Sequence, residues 1–393
     1  MISVTEAKNM IRANATALTP VTIPLQQAVG RVLAADVTAF TDIPAFEQSA
    51  MDGYALSFAG YELHKTLTIQ GEVPAGAPEA LVLQANQAIR IFTGAPVPAG
   101  ADTVVMQEKV EVKNGQLHIA DDQLKPGLNV RLIGSEIKAG ELMLAKGDKL
   151  TPAAVGFLAT TGVSEVLVYP TPVMSIIVTV NELQQPGKAL LHGQVYECNS
   201  FQLRAALKLL QIEEVPVFEA KDDLQVVKDT LKYALDNSDV VLLTGGVSVG
   251  NYDFVPEAAA ACGVVTLFHK LKQRPGKPLF VGTKGKKWVF GLPGNPSSVL
   301  TCFYEYVIPA LEQLMQLKPV VPSIKVPLSK AYSKTAALTF FLKGYYDGQT
   351  VAPLDSQESY RLRSFAMANC LVVLPEEKME YAVGEEVEVH LIS

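Results

Sequence analysis

The chain lacks most of the features that would tie it to a membrane, an oxidising compartment or a nucleic acid. No apolar run approaches the roughly 20 residues that a membrane span needs; the run at 173–180 is among the longest. Residues 1–12 contain no apolar h-region, which argues against a secretory signal. Cysteine is scarce. Cys198, Cys262, Cys302 and Cys370 stand far apart and form no C-x-x-C pair, so neither a disulfide framework nor a zinc site is expected. The five histidines are equally scattered. There is no basic excess: 33 Lys and Arg face 40 Asp and Glu, a net charge of -7 that disfavours a general nucleic-acid surface. Low-complexity tracts and fixed-period repeats are missing too. The expectation is a soluble, cytoplasmic protein with no nucleic-acid or membrane partner.

What is present is apolar residue in quantity. With 49% hydrophobic and 19% charged residues, the chain can bury a sizeable core. Its 393 residues are enough for two to four domains. A helix is expected over 5–18, stopped by Thr19-Pro20. Residues 40–145 carry short β-like runs at 66–69, 88–92, 103–106, 109–112 and 117–119, punctuated by Gly and Pro turns, which reads as an all-β insertion. Thr151-Pro152 opens a helix that ends near Gly162. From 172 to 316, apolar runs at 173–178, 215–218, 240–244, 264–269, 279–281 and 288–290 alternate with helices near 199–210, 222–235, 253–262 and 296–314. Such uniformly apolar strands belong in a sheet covered on both faces. After Lys318-Pro319 short strands return. The fold class expected is therefore a multidomain α/β protein. A central doubly wound α/β domain (172–316) follows an N-terminal helical/β region (1–39 with 146–171) that carries the β insertion (40–145), and a small β domain (317–393) closes the chain.

Four stretches carry candidate chemistry. Thr244-Gly245-Gly246-Val247-Ser248-Val249-Gly250 follows an apolar strand and precedes a helix, where backbone amides suit phosphate. It has no Walker lysine, so a P-loop ATPase is not indicated; by itself it is equally a tight packing turn. Gly291-Leu292-Pro293-Gly294-Asn295-Pro296-Ser297-Ser298 is either a stiff connection or a second wall of the same cleft, because loops at the carboxyl ends of parallel strands gather on one edge. Lys270, Lys272, Arg274 and Lys277 concentrate positive charge in an acidic protein, as an oxyanion site would. Lys284, Lys286 and Lys287 around Gly285 read instead as a solvated hairpin tip. Gln48-Ser49-Ala50-Met51-Asp52-Gly53-Tyr54-Ala55 reads as a turn. Single acids complete the set: Glu182 after the first apolar strand, Asp222 opening a helix with a capping-box spacing to Gln225, and Asp253 after the glycine loop. Capping and a divalent cation both remain open for the last two.

Taken in order, Ser49-Ala50-Met51-Asp52-Gly53-Tyr54-Ala55, Thr93-Gly94-Ala95-Pro96-Val97-Pro98, residues 245–250, Pro275-Gly276-Lys277-Pro278 and residues 291–296 resemble the molybdopterin molybdenumtransferases, the family that includes the gephyrin E domain. The resemblance covers essentially the whole chain. It implies insertion of molybdenum, supplied as molybdate, into adenylylated molybdopterin, with adenylate hydrolysis, AMP release and Mg2+ as cofactor. It implies Asp52, Glu182, Asp222 and Asp253 as catalytic residues, the last three as magnesium ligands. Thr93, Gly245, Gly246, Ser248, Gly250, Pro293, Asn295 and Pro296 are implied to bind the pterin nucleotide, and Arg274, Lys277, Lys343 and Ser364 molybdate. It further implies a homodimer in which the 49–55 loop of one subunit faces the α/β domain of the other, the 1–39 and 146–171 segments serving as linker and dimerisation domain. Other cofactor-biosynthesis proteins and apo-molybdoenzymes are implied as further partners. The chain departs from the family where Thr179-Val180-Asn181-Glu182-Leu183 replaces the usual Thr-Gly-Asp-Glu-Leu, and at Leu338, Phe340 and Lys343 near the C-terminus. A molybdopterin adenylyltransferase, which resembles 172–316 alone, and a pterin-binding paralogue without turnover are the competing readings.

Overall fold

The computed structural model describes residues 1–77, 81–179, 182–246 and 254–392. They divide into two compact units: Thr22–Val29 with Leu33–Val168, and Met1–Val21 with Gly30–Val32 and Tyr169–Ser393. No helix among the described residues is long and apolar enough to cross a membrane.

The first unit is built on a six-stranded sheet in the order Thr103–Met106, Gly53–Leu56, Gln87–Ile91, Leu67–Val73, Gln116–Ile119 and Val110–Lys113. Its pairings are antiparallel except that between Leu67–Val73 and Gln87–Ile91. Gly53–Leu56 corrects the sequence reading, which had a plain turn at 48–55. All four residues are buried, so the strand has no alternation to betray it. A Cβ on Gly53 would lie 1.9 Å from the Val105 carbonyl oxygen, so only glycine fits there. The helix Phe58–His64, capped by Ser57, was also not anticipated. Pro152–Thr160 was: the Thr151 hydroxyl accepts from the Ala154 amide at 3.1 Å, and Pro152 fills the first turn.

The second unit holds a six-stranded mixed sheet, ordered Val217–Ala220, Met174–Thr179, Val240–Thr244, Lys287–Leu292, Phe280–Lys284 and Val265–His269. The first four strands are parallel; Phe280–Lys284 runs against both neighbours. It forms the hairpin around Gly285 that the lysine-rich tip foretold. Alternate strand residues serve opposite faces. Ile176, Val178, Leu242 and Phe290 join Leu203 and Leu207 of helix Asn199–Leu209 on one side. Ile177, Val241, Leu243 and Val289 meet Val227 and Leu231 of Leu224–Asn237 and Ala258 of Val255–Ala261 on the other. Helices on both faces are the doubly wound arrangement expected.

Three elements brace this domain. The N-terminal helix Val4–Asn14 begins in a Ser3/Glu6 capping box and ends short of residue 18, because the Leu18 amide is spent on the Leu314 carbonyl. The 296–314 helix contains a π turn, Phe303–Val307, between Pro296–Cys302 and Ile308–Met315. A C-terminal sheet runs in the order Gln273–Arg274, Thr339–Tyr346, Cys370–Leu374, Glu386–Leu391 and Ser323–Pro327. Its first strand comes from the basic stretch, paired in parallel with Thr339 and Phe340.

The three meet at Glu305, which the π turn turns inward to 1% exposure. Its carboxylate accepts from the Lys8 ammonium at 2.5 Å and lies 2.7 Å from His390 Nδ1, whose Nε2 is 3.1 Å from Glu388. Burial opposes charge on His390, but the hydrogen bonds to Glu305 and Glu388 outweigh it and raise the imidazole to about 9. The His390 hydrogen bond in turn holds the Glu388 carboxyl near about 2.

We predict a pH signature from this junction. The His390 contribution is complete below its ordinary value of 6.5 and lost as pH rises through about 9. That of Glu388 is complete above 4.5 and lost as pH falls through about 2. Melting temperatures of His390→Gln should therefore lack the alkaline fall seen in the parent; equal alkaline slopes in the two proteins would reject the assignment. Glu305→Ala, which strands the buried His390 and the half-buried Lys8, should cost about 3–5 kcal/mol in urea unfolding.

Candidate functional site

The cleft opens where the chain order of the parallel strands reverses. From Met174–Thr179 the chain goes outward to Val217–Ala220, then crosses back to Val240–Thr244 on the other side. Loops leaving the carboxyl ends of two such strands diverge and leave a crevice. Thr179, Thr244, Gly245 and Gly246 form its floor, within a cavity of about 1050 Å³. Gly245 and Gly246 adopt φ of 84° and 64°, a region that other residues enter only under strain. The Thr179 hydroxyl donates to the Thr244 carbonyl at 3.2 Å, and a Cβ on Gly245 would come within 2.3 Å of that hydroxyl oxygen. The Gly245 amide donates to the Leu292 carbonyl at 3.2 Å, which ties the turn to the neighbouring strand. Among the described residues, the buried Thr244 hydroxyl has no hydrogen-bond partner.

The second wall is the loop carrying Pro293, Asn295 and Pro296, all of which face the cavity. Asn199 and Gln202 fix it: Asn199 Nδ2 donates to the Gly294 carbonyl at 2.9 Å and Gln202 Nε2 to the Pro296 carbonyl at 3.0 Å. Neither residue was singled out from the sequence, because a polar residue in the first turn of a helix usually signals no more than its start.

The third wall is basic. Arg274 and Lys277 line the cavity, whereas Lys270 and Lys272 do not. Lys272 lies 3.6 Å from Glu376. Arg274 donates to the Thr335 hydroxyl at 3.0 Å and stacks over the Phe340 ring at 5.5 Å, which holds its guanidinium in place. Buried Gln273 shapes the loop between the two cations. Its amide donates to the Pro275 and Gly276 carbonyls at 3.0 and 3.3 Å, and its oxygen accepts from the Tyr306 hydroxyl.

Four acids line the cavity: Glu182, Glu197, Asp222 and Glu358. Glu197 is engaged by the Ser200 amide and hydroxyl at 2.8 and 2.6 Å. Burial raises the Asp222 carboxyl above its ordinary value, the negative charge of Glu182 raises it further, and a hydrogen bond with Thr179 partly opposes both. Asp222 does not form the capping box read from its spacing. Asp223 caps the helix instead, accepting from the Gln225 and Val226 amides at 2.9 and 3.0 Å. That one-residue shift turns Asp222 toward the cavity. Ser248, Gly250 and Asp253, together with Val180 and Asn181, lie outside the described residues. Among the described residues no group of three or more His, Cys, Asp or Glu gathers to hold a metal.

The fourth wall comes from the C-terminal domain, through Gln357, Glu358, Ser359 and Tyr360, and was not anticipated. Ser359 ties it to the second wall: Asn295 Nδ2 donates to its hydroxyl at 2.8 Å, and the Ser297 amide to its carbonyl at 3.1 Å. Lys343 and Ser364, implied for molybdate by resemblance, are not among the residues that line the cavity. Both are buried, at 2% and 7% exposure, and both donate to backbone carbonyls beneath this wall. Asp52 and Thr93 belong to the other unit. There Asp52 Oδ1 accepts from the Thr93 amide and hydroxyl, each at 2.8 Å, and these bonds hold its carboxyl below the ordinary value.

Comparison with known proteins agrees along the whole chain. Residues 2–162 match the MoeA N-terminal region (domain I and II), 175–313 a probable molybdopterin binding domain, and 325–392 the MoeA C-terminal region (domain IV). The molybdopterin molybdenumtransferase of Haemophilus influenzae is 33% identical over 372 residues, covering 93% of this chain and 92% of its own. The chain belongs to the molybdopterin molybdenumtransferase family. Molybdopterin molybdenumtransferase 2 of Mycobacterium tuberculosis is 35% identical over 405 residues, 99% of both chains. Among solved structures, a molybdopterin biosynthesis MoeA protein from Pyrococcus horikoshii superposes with a TM-score of 0.84 at 29% identity, covering 100% of this chain and 99% of that one. Family membership thus agrees with the multidomain α/β architecture read from the sequence.

The tight approach of Gly245 to Thr179 yields a prediction. Gly245→Ala should lose about 1–3 kcal/mol of stability in urea unfolding, because its methyl meets the Thr179 hydroxyl. An unchanged urea midpoint would show that the turn is not packed as described.

Proposed function

We propose that the cleft binds adenylylated molybdopterin beside molybdate, and that the chain inserts molybdenum into the pterin dithiolene while the adenylate is hydrolysed and AMP released. The observation that carries this reading is the convergence of Gly246, Lys277, Pro293 and Asp222 on one cavity. A nucleotide-linked pterin is polyanionic, and a glycine turn at the carboxyl end of a parallel strand is a setting that suits phosphate. Molybdate is a tetrahedral dianion. The Arg274 fork, fixed by Thr335 and Phe340, and the point charge of Lys277 suit two of its faces.

The donor set fits magnesium. Two carboxylates that repel one another, Glu182 and Asp222, suit a hard divalent cation that also takes water and ligand phosphates. Asp253, outside the described residues, is the third candidate ligand. When bound, magnesium would supply charge neutralisation at the pyrophosphate. Thr179 orients Asp222 through its hydrogen bond, and the walls at 293–296 and 357–360 hold the substrate and narrow the access of water. Dithiolene sulfurs are soft ligands and form the thermodynamic sink for the metal.

The same reading extends to assembly. The protein acts in the cytoplasm as a homodimer, the 49–55 loop with Asp52 and Thr93 completing the site of a second subunit, and passes its product to apo-molybdoenzymes.

Purified protein given adenylylated molybdopterin, magnesium and molybdate should release AMP and yield active cofactor. Asp222→Ala should lower AMP release by at least about 100-fold at an unchanged melting temperature, and Asp253→Ala should do the same. Absence of AMP from the wild-type protein, while a known family member succeeds alongside, would reject the assignment. Wild-type rates in both variants would reduce the acids to structural roles.

A further inference from the structure

We propose that Lys343 is a positioning residue which holds the 356–361 loop as one wall of the cleft, rather than a ligand of the oxyanion. The proposal rests on the reading of the cleft given above and assigns the residue a role within it. An ammonium has three N–H donors. Those of Lys343 meet three carbonyls: Ser356 at 2.8 Å, Arg361 at 3.2 Å and Glu358 at 3.3 Å. No donor is left for a fourth partner, and an oxyanion could gain one only by breaking a bond to the loop.

The surrounding bonds converge on the same end. The Ser364 hydroxyl reaches two of the same carbonyls, Ser356 at 2.8 Å and Arg361 at 3.3 Å. Gln357 pairs with the Lys343 backbone as a neighbouring strand would, accepting from its amide at 3.0 Å and donating to its carbonyl at 2.9 Å. The Leu354 amide donates to that carbonyl as well, at 2.9 Å. Lys343 is 2% exposed, and burial depresses its ammonium. A charge retained there needs the carbonyl dipoles, and the carbonyls, turned inward, need a donor. The outward side of this loop presents Gln357, Glu358, Ser359 and Tyr360 to the cavity, and Ser359 carries the restraint on to Asn295. Lys343 therefore acts on the substrate through the loop.

The two roles separate in Lys343→Met, which keeps the bulk and removes the donors. A positioning residue supports both substrates, because the loop walls the whole cavity. Its loss should raise KM for adenylylated molybdopterin and for molybdate together, by roughly tenfold, with kcat within about twofold. Amide hydrogen exchange across 354–361 should quicken in the ligand-free protein. A direct oxyanion ligand predicts the opposite pattern: KM for molybdate alone rises while exchange of the loop stays as in the parent, and that outcome overturns the proposal. If Lys343→Met does not fold, Ser364→Ala removes the second donor from the same carbonyls and should give the same paired rise, smaller in size. Unchanged exchange and unequal KM values in that variant also overturn it. Absence of wild-type turnover counts against the proposed function alone, and loop exchange then decides the role of Lys343.

Discussion

Glu305 keeps a negative charge where almost no water reaches it, and the orientation of the basic wall follows from how that charge is satisfied. Lys8 and His390 neutralise it from the first helix and the last long strand, whose chain positions lie 297 and 85 residues away. The π turn that aims Glu305 inward also aims its neighbour Tyr306, whose hydroxyl donates to Gln273. Gln273 then gathers the carbonyls of Pro275 and Gly276 and so spaces Arg274 from Lys277. A π turn costs regular helical hydrogen bonds and is found mostly where function repays it. Here it delivers two side chains to two tasks: one joins the layers, the other sets a pair of cations.

The cleft shows the same economy of means. Its floor is dictated by sheet topology, since a strand order that reverses must leave a gap between diverging loops. Its walls are held mainly by amide side chains, Asn199, Gln202, Gln273, Asn295 and Gln357, which bond to loop backbone or to Ser359. Amides satisfy loop carbonyls without adding charge, so the field in the cavity is left to Arg274 and Lys277 and to the acids Glu182, Glu197, Asp222 and Glu358.

Much of this was legible in the sequence, and the exceptions have physical reasons. Runs such as 240–244 were readable because strands buried on both faces are apolar throughout, and Pro and Gly marked the ends of Pro152–Thr160. The proline loop was readable as a second wall beside the glycine loop because loops at the carboxyl ends of parallel strands gather on one edge, whereas Arg274 and Lys277 were readable only as concentrated charge. Gly53–Leu56 was missed because four small or apolar residues beside an Asp-Gly pair carry no periodicity. The cap slipped from Asp222 to Asp223 because two consecutive aspartates offer the same chemistry and only the backbone path chooses between them. The 357–360 wall was missed because it reaches the cleft through packing of a distant domain. The bonds of Lys343 were hidden for a related reason: a lysine in an apolar strand looks like a functional cation, and sequence does not show which carbonyls wait for it.

The parallel pairing of Gln273 and Arg274 with Thr339 and Phe340 has a consequence for biogenesis. During synthesis, the basic segment leaves the ribosome more than sixty residues before the strand that receives it, and His390 emerges later still. The doubly wound layer can collapse earlier, since its strands and helices all precede residue 316. The cation pair therefore acquires its final geometry only after Thr339 and Phe340 have been made, in a docking step dominated by long-range contacts, which form slowly. A nascent chain that stops short of Thr339 would carry the doubly wound sheet with the Gln273–Arg274 strand still unpaired.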